Sequence, residues 1–271
     1  MPTAPDLDPN LVTTETDVPA AATYRPRDFS PQQAARIAGA AYLIQYVTSV
    51  YPEFYVRPAL IVAGDAARTA SNIVAHAQLF RVAIVSDLIA GVAVLVLNAA
   101  LYQLLAPVHR GLARFAAFWR LVEVSVGSTI AVCGFVVLSL LSDAQPLQPF
   151  APRELQGLAH VVLGARESGY MILLLFFGLG STIYMYLLVR SRYVPRALAL
   201  IGLVGSALAA IFALTRMLFP AFVSGVFSAV RALPPAALVL IALVLAPIVL
   251  FELAFGLWLL VKGVRTGAPG P

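Results

Sequence analysis

Charged residues are scarce in this 271-residue chain, at 11%, whereas apolar residues make up 61%. A soluble domain is typically about half apolar and about a quarter charged. The shortage of charge therefore excludes a soluble fold. The basic residues that give the net charge of +5 sit in short loops between apolar runs. Membrane threading explains basic residues in such loops, so we expect no nucleic-acid partner.

The residues that build most redox, metal and catalytic sites are also few. Cys133 is the one cysteine, which excludes a disulfide within the chain. The three histidines, His76, His109 and His160, lie in loops or at the edges of apolar stretches, and no HExxH motif is present. We predict no metal site, no cofactor and no catalytic residue. An enzymatic role is therefore the less favoured interpretation. Lysine occurs once, at Lys262, against 17 arginines, a bias typical of a GC-rich bacterial source.

Long apolar runs are what the chain has in abundance. A helix needs about 20 apolar residues to cross roughly 30 Å of hydrocarbon. The sequence predicts an all-α, polytopic membrane protein, a bundle of six transmembrane helices with short amphipathic helices in the outer loops. The six predicted spans are 37–56, 82–105, 115–141, 168–189, 197–219 and 236–261.

The two ends of the chain have a different composition. Residues 1–30 hold five prolines and five acids but almost no large apolar side chains. Such a segment cannot bury enough surface to offset its ordering entropy. We predict a disordered cytoplasmic tail over 1–33, a transmembrane domain over 34–265 and a short tail over 266–271.

The basic residues predict how the chain is threaded. Arginine and lysine collect in cytoplasmic loops, and with six crossings ten of them fall on one side. Both termini are then cytoplasmic, in the inner membrane of a bacterium. The cytoplasmic ten are Arg25, Arg27, Arg36, Arg110, Arg114, Arg190, Arg192, Arg196, Lys262 and Arg265. The outer side has seven: Arg57, Arg68, Arg81, Arg153, Arg166, Arg216 and Arg231.

Two outer connections are long enough to carry helices of their own. Asp65 can cap a short amphipathic helix over residues 66–78, which we expect to lie on the outer surface. Residues 150–166 are a candidate for a second surface helix.

The order of sequence landmarks resembles a bacterial membrane family known only as domain of unknown function 4386. The resemblance covers about 34–265 and implies a six-helix bacterial membrane protein, without an activity or site residues. Its landmarks are ARIAGAAYLI, EFYVRPALIVAGDAARTASNIVAHAQLFRVAIVSDL, LYQLLAPVHRGLARFAAFWRLVE, SGYMILLLFFGLGSTIYMYLLVRSRYVPRALA and FELAFGLWLLVKGV.

Three charges deep in the spans form a predicted inner network: Arg120, Glu123 and Glu252. Charges inside a bilayer are costly, so they usually face the bundle interior and pair. Arg120 and Glu123 are three residues apart on one helix face. Two interpretations remain open: an ion-pair network that fixes the third span against the sixth, or a site that responds to protons or cations. We expect Arg120 to pair with Glu123 or Glu252.

Five further charges lie near the outer ends of the spans. They predict a polar chamber beneath the helix over 66–78, with arginines that suit an anionic guest. Pairing with the interface around the rim is the alternative. The five residues of this outer cluster are Glu53, Arg81, Asp87, Glu167 and Arg216.

Three classes of function remain open at this point. One is binding or transport of a small or amphiphilic solute through an outward-facing polar cavity. Another is a structural or regulatory protein that partners another membrane component. The third is an intramembrane enzyme acting on lipid, for which no nucleophile can be named. Membrane lipids are the expected surroundings, and the sequence does not predict an oligomeric state.

Overall fold

The computed structural model describes residues 29–142, 150–235 and 250–265. Every regular element within these ranges is helical. Most of the predicted tail over 1–33 and the tail over 266–271 lie outside them, as do residues 236–249 of the predicted sixth span. The helices are α1 (Pro31–Tyr51), α2 (Arg57–Leu60), α3 (Ala66–Ala75), α4 (Ala77–Leu141), α5 (Pro152–Ser191), α6 (Arg196–Leu218), α7 (Pro220–Arg231) and α8 (Leu250–Val261).

A capping box starts α1. The Ser30 hydroxyl accepts from the Gln33 N–H at 3.2 Å, and the Gln33 side chain accepts from the Ser30 N–H at 3.0 Å. A π-helical turn, Pro52–Val56, then joins α1 to α2. Pro52 has no N–H to continue the α-helical ladder, so the wider turn occurs where a regular bond is already lost. This turn carries Glu53 toward the bundle interior.

The 65 residues of α4 form two arms that meet at His109. His109 has an extended backbone (φ −162°, ψ 95°), and its Nδ1 accepts from the Leu112 N–H at 3.1 Å. His109 thus caps the second arm as a serine or aspartate caps other helices. The arms run antiparallel, because the Asn98 amide donates to the Ala117 carbonyl at 3.2 Å and Gly134 lies against Ile84.

Helices α1, α5, α6 and α8 complete a ring with the two arms of α4. Each neighbouring pair is antiparallel, and small residues lie at several of the crossings. The pairs that identify the neighbours are Arg120–Ser181 for α4 and α5, Thr182–Ser206 for α5 and α6, Gly202–Phe251 for α6 and α8, and Tyr42–Phe255 for α8 and α1.

Three described helices are long and apolar enough to cross a membrane: α4, α5 and α6. Their outward faces carry large apolar side chains, with Val132 60% exposed and Ile211 58% exposed. A soluble protein does not present so continuous an apolar exterior. The fold is therefore that of a helical membrane protein, and the sequence prediction of an all-α fold is confirmed.

The connections that the sequence predicts on the outer side differ in part from the expectation. Asp65 does cap α3, accepting from the Arg68 N–H at 2.8 Å, and α3 buries Ile73 over an apolar cluster. Residues 150–166 do not form a separate surface helix, because α5 begins at Pro152 and continues without a break to Ser191. The second short helix is instead α7, which begins at Pro220.

Candidate functional site

A cavity of about 420 Å³ lies inside the ring of helices, between α1, both arms of α4, α5 and α8. The cavity extends from Glu53, Arg57 and Asp87 at one end to Glu123 and Glu252 of the predicted inner network at the other. Glu53 and Asp87 of the predicted outer cluster and Glu123 and Glu252 of the predicted inner network thus line one cavity. The charged residues that line it are Glu53, Arg57, Asp87, Glu123, Arg166 and Glu252.

Arg57 organises the outer end of the cavity. Its Nη1 lies 2.7 Å from the Glu53 carboxylate one helical turn earlier, and its Nη2 pairs with Asp87 on the first arm of α4. Arg57 is only 7% exposed, so both pairs form in a largely desolvated setting. Arg166 on α5 reaches Glu53 at 3.4 Å, which leaves Glu53 between two guanidinium groups.

Arg120 and Glu123 form a buried ion pair at the inner end. Arg120 Nη1 lies 2.7 Å from Glu123 Oε2, and the two residues are 3% and 6% exposed. Arg120 also donates to the Ser181 hydroxyl at 3.3 Å and lies over the Phe177 ring at 5.1 Å. Gly180 makes room for it, since a Cβ there would lie 3.1 Å from Arg120 Cγ.

Glu252 on α8 lines the same cavity as Glu123 but has no ion pair of its own. Among the described residues, no arginine or lysine nitrogen lies within 4.0 Å of its carboxylate. The Tyr42 hydroxyl on α1 lies beside its carboxylate. The predicted inner network is therefore an Arg120–Glu123 pair with Glu252 facing the cavity beside it.

The structure does not bring the five residues of the predicted outer cluster together. Glu53 and Asp87 share Arg57, as described. Glu167 and Arg216 form a separate pair at 3.4 Å outside the cavity, with the Glu167 side chain 68% exposed. Arg81 is exposed and does not line the cavity. The first arm of α4 turns Asp87 inward and Arg81 outward, as their spacing of six residues allows.

Sequence reasoning missed Arg57 and Arg166 as members of the site. Arg57 follows Glu53 by four residues, a spacing at which helical side chains meet, so its pairing carried a local signal. The missing information was that the helical chain continues beyond residue 56, where the predicted first span ends. Arg166 carried no such signal, since its partner Glu53 is 113 residues away.

The predicted cover of the chamber is also corrected. None of the residues of α3 line the cavity. Its buried face packs instead on an apolar cluster that includes Val56, Leu60, Phe80 and Leu163. The helix lies over this cluster because Ile73 is its largest buried side chain and needs an apolar partner.

The wall between the two charged ends is mostly apolar. Four large apolar side chains of the lining are also exposed: Phe54, Leu88, Val92 and Leu95. Three of them belong to the first arm of α4 and one to the π-helical turn. The cavity therefore opens to the surface of the bundle along these residues. No three histidine, cysteine or acidic side chains of the described ranges come together as a metal-binding group.

Comparison with known proteins identifies a family but no activity. No curated protein and no solved structure matches the chain. Residues 37–263 match the family described as domain of unknown function, DUF4386. The match takes in α8, most of α1 and every helix between them, and so includes all of the residues that line the cavity. The chain belongs to the DUF4386 family.

Proposed function

We propose that this protein crosses a bacterial cytoplasmic membrane six times, with both termini inside, and binds a small amphiphilic solute in the cavity. The first two crossings are α1 and the first arm of α4, which pack together. The remaining four are the second arm of α4, α5, α6 and a span that includes α8. Support for this threading comes from the antiparallel packing of successive helices and from the basic residues at the His109 and Arg192 ends.

One observation carries the binding function: a single cavity reaches both groups of membrane charges. Ionisable side chains within membrane spans face the bundle interior or a water-filled cavity, and those that line a cavity mark pathways of substrates or ions. Here about 420 Å³ separates the Arg57 pairs from the Arg120–Glu123 pair, within the size range of small-molecule sites. The apolar wall and polar ends match a ligand of the same mixed character.

Narrowing the cavity tests the proposal. Gly91 lines the cavity, and a Cβ there meets only Val124 Cγ1, at 3.7 Å, so a leucine side chain can extend into the space. Gly164 on α5 lies outside the cavity with nothing within 4 Å of a Cβ, so Gly164→Leu is the matched control.

The probes are three compounds that share a benzyl group and the same number of heavy atoms: benzyltrimethylammonium, N-benzylacetamide and phenylmethanesulfonate. Calorimetric titration of nanodisc-embedded protein should show saturable binding of at least one probe. We expect Gly91→Leu to weaken it by about tenfold or more and Gly164→Leu to leave it unchanged. If none of the three binds, a structural or regulatory role in the membrane becomes the better interpretation.

A further inference from the structure

The charges around the cavity do not balance. Four carboxylates belong to it, Glu53, Asp87, Glu123 and Glu252, and three guanidinium groups face them, from Arg57, Arg166 and Arg120. Residues 236–249, which precede α8 and lie outside the described ranges, contain no ionisable side chain in their sequence. Arg120 lies behind Glu123 and does not itself line the cavity, but even when it is counted the described groups have one carboxylate more than they have cations.

The excess is localised at the inner end. Arg57 and Arg166 match Glu53 and Asp87 at the outer end, and Arg120 matches Glu123. Glu252 is the acid left over, and its carboxylate faces the cavity close to the Glu123 side. An uncompensated charge at this depth costs several kcal/mol, so the site favours a positively charged occupant.

Glu123 adds a second carboxylate at the same place. Its Oε2 is buried and lies at ion-pair distance from Arg120 Nη1, yet it accepts no hydrogen bond from the described residues. Buried carboxylate oxygens normally accept hydrogen bonds. The Glu123 side chain nevertheless lines the cavity and is 6% exposed, so its carboxylate adds negative charge beside Glu252.

The rest of the wall suits an apolar body attached to that cation. Leu173, Leu174 and Phe177 on α5 face Val124 on the second arm of α4. Tyr170 and Phe54 add aromatic surface, which attracts quaternary ammonium groups. The opening along Leu88, Val92 and Leu95 lies among side chains that face the bilayer core, so an amphiphile can enter from the membrane as well as from water.

We infer that the cavity binds amphiphilic organic cations, with the cationic group between Glu252 and Glu123 and the apolar body against α5. The inference rests on the proposed function and adds the charge class of the ligand. Arg57 and Arg166 already form ion pairs with Glu53 and Asp87, so they do not favour an anionic ligand.

The three benzyl probes also test the charge of the ligand. We expect benzyltrimethylammonium to bind at least about tenfold more tightly than N-benzylacetamide, since an interaction with a charged, desolvated group is worth that much, and phenylmethanesulfonate to bind most weakly. Glu252→Gln, which keeps the shape of the side chain, should abolish the preference for the cation. Glu167→Gln removes an acid outside the cavity and should preserve it.

The outcomes separate this inference from the proposed function. Equal binding of the cation and the neutral amide by the parent protein, or a preference for the sulfonate, would overturn the inference while leaving a ligand-binding cavity. Retention of the full cation preference in Glu252→Gln would also overturn it. Lack of binding by every probe would refute the proposed function itself. The ranking by the parent protein decides the question even if Glu252→Gln does not fold.

Discussion

Arg120 shows how a single residue couples the packing of the bundle to its cavity. Its guanidinium touches Glu123, Ser181 and the face of Phe177, and its stem lies against Gly180. The residue is 3% exposed, so water cannot replace any of these contacts. Glu123 in turn depends on Arg120 for its charge balance, because it is buried on the same helix face.

We predict that Arg120→Ala lowers the free energy of unfolding by roughly 3–5 kcal/mol, because it leaves Glu123 buried without a counter-charge. Thermal unfolding of the detergent-solubilised protein measures the effect. The double variant with Glu123→Gln should recover part of the loss, since it removes the stranded charge. Arg190→Ala, at an exposed position of α5, is the control and should unfold like the parent. Equal stability of Arg120→Ala and the parent would contradict the importance of this pair.

The ion pairs differ in how readily they can be predicted from the sequence. The Arg120–Glu123 pair follows from a spacing of three on one helix, so local reasoning finds it. The Arg57–Asp87 and Arg166–Glu53 pairs join segments 30 and 113 residues apart. They depend on the rotation of each helix about its axis, which packing against neighbours determines. No spacing rule in a single sequence contains that information.

Close approach of helices is the main feature at the scale of elements. Gly39 on α1 sits against the backbone of α8, where a Cβ would come within 2.7 Å of the Gly256 carbonyl oxygen. Gly178 on α5 lies equally close to the backbone of α6 at Ala210. Backbone cannot move aside as a flexible side chain can, so these glycines determine how near the helices lie.

We predict that Gly39→Ala destabilises the protein because it forces α1 away from α8, which also shifts Tyr42 relative to Glu252. Gly164→Ala is the matched control, since a Cβ there meets nothing within 4 Å. It should be neutral or slightly stabilising, because alanine favours a helix over glycine by up to about 1 kcal/mol. The thermal unfolding midpoints of the two variants check the prediction. An unchanged midpoint for Gly39→Ala would show that the crossing can widen without cost.

Element boundaries were predicted less well than element type. Apolar runs of about 20 residues identify helices. Helix α5 nevertheless extends over 40 residues, because no proline follows Pro152 before the helix ends at Ser191. The π-helical turn at Pro52 was not predicted either. The predicted first span ends at residue 56, whereas the chain continues helical to Leu60 through this wider turn.

At the scale of the whole molecule, the ring of antiparallel helices gives the protein two distinct ends. The His109 turn and the connection after Ser191 lie at one end, together with Arg110, Arg114, Arg190 and Arg192. The Arg57 pairs and α3 lie at the other. An excess of arginine at one end of a membrane bundle predicts that this end is cytoplasmic.

Reporter fusions test this orientation. We expect a reporter that is active only in the cytoplasm to work when fused after Arg114 and after Arg192. The same reporter fused after Ser142, at the opposite end, should be inactive. Activity after Ser142 together with silence after Arg114 would reverse the orientation, and the cavity would then have its Arg57 end toward the cytoplasm.

Whether the cavity is open to solutes can be measured directly by the reactivity of a single cysteine, in a Cys133→Ser background. Ser49 and Val47 lie two residues apart on α1, at nearly the same depth. Ser49 lines the cavity, whereas Val47 is 61% exposed on the outer face of the bundle. A charged, membrane-impermeant methanethiosulfonate reagent should modify Ser49→Cys and leave Val47→Cys unmodified, since thiolates form in water and not among lipid chains. Modification of both at equal rates, or of Val47→Cys alone, would contradict a solute-accessible cavity.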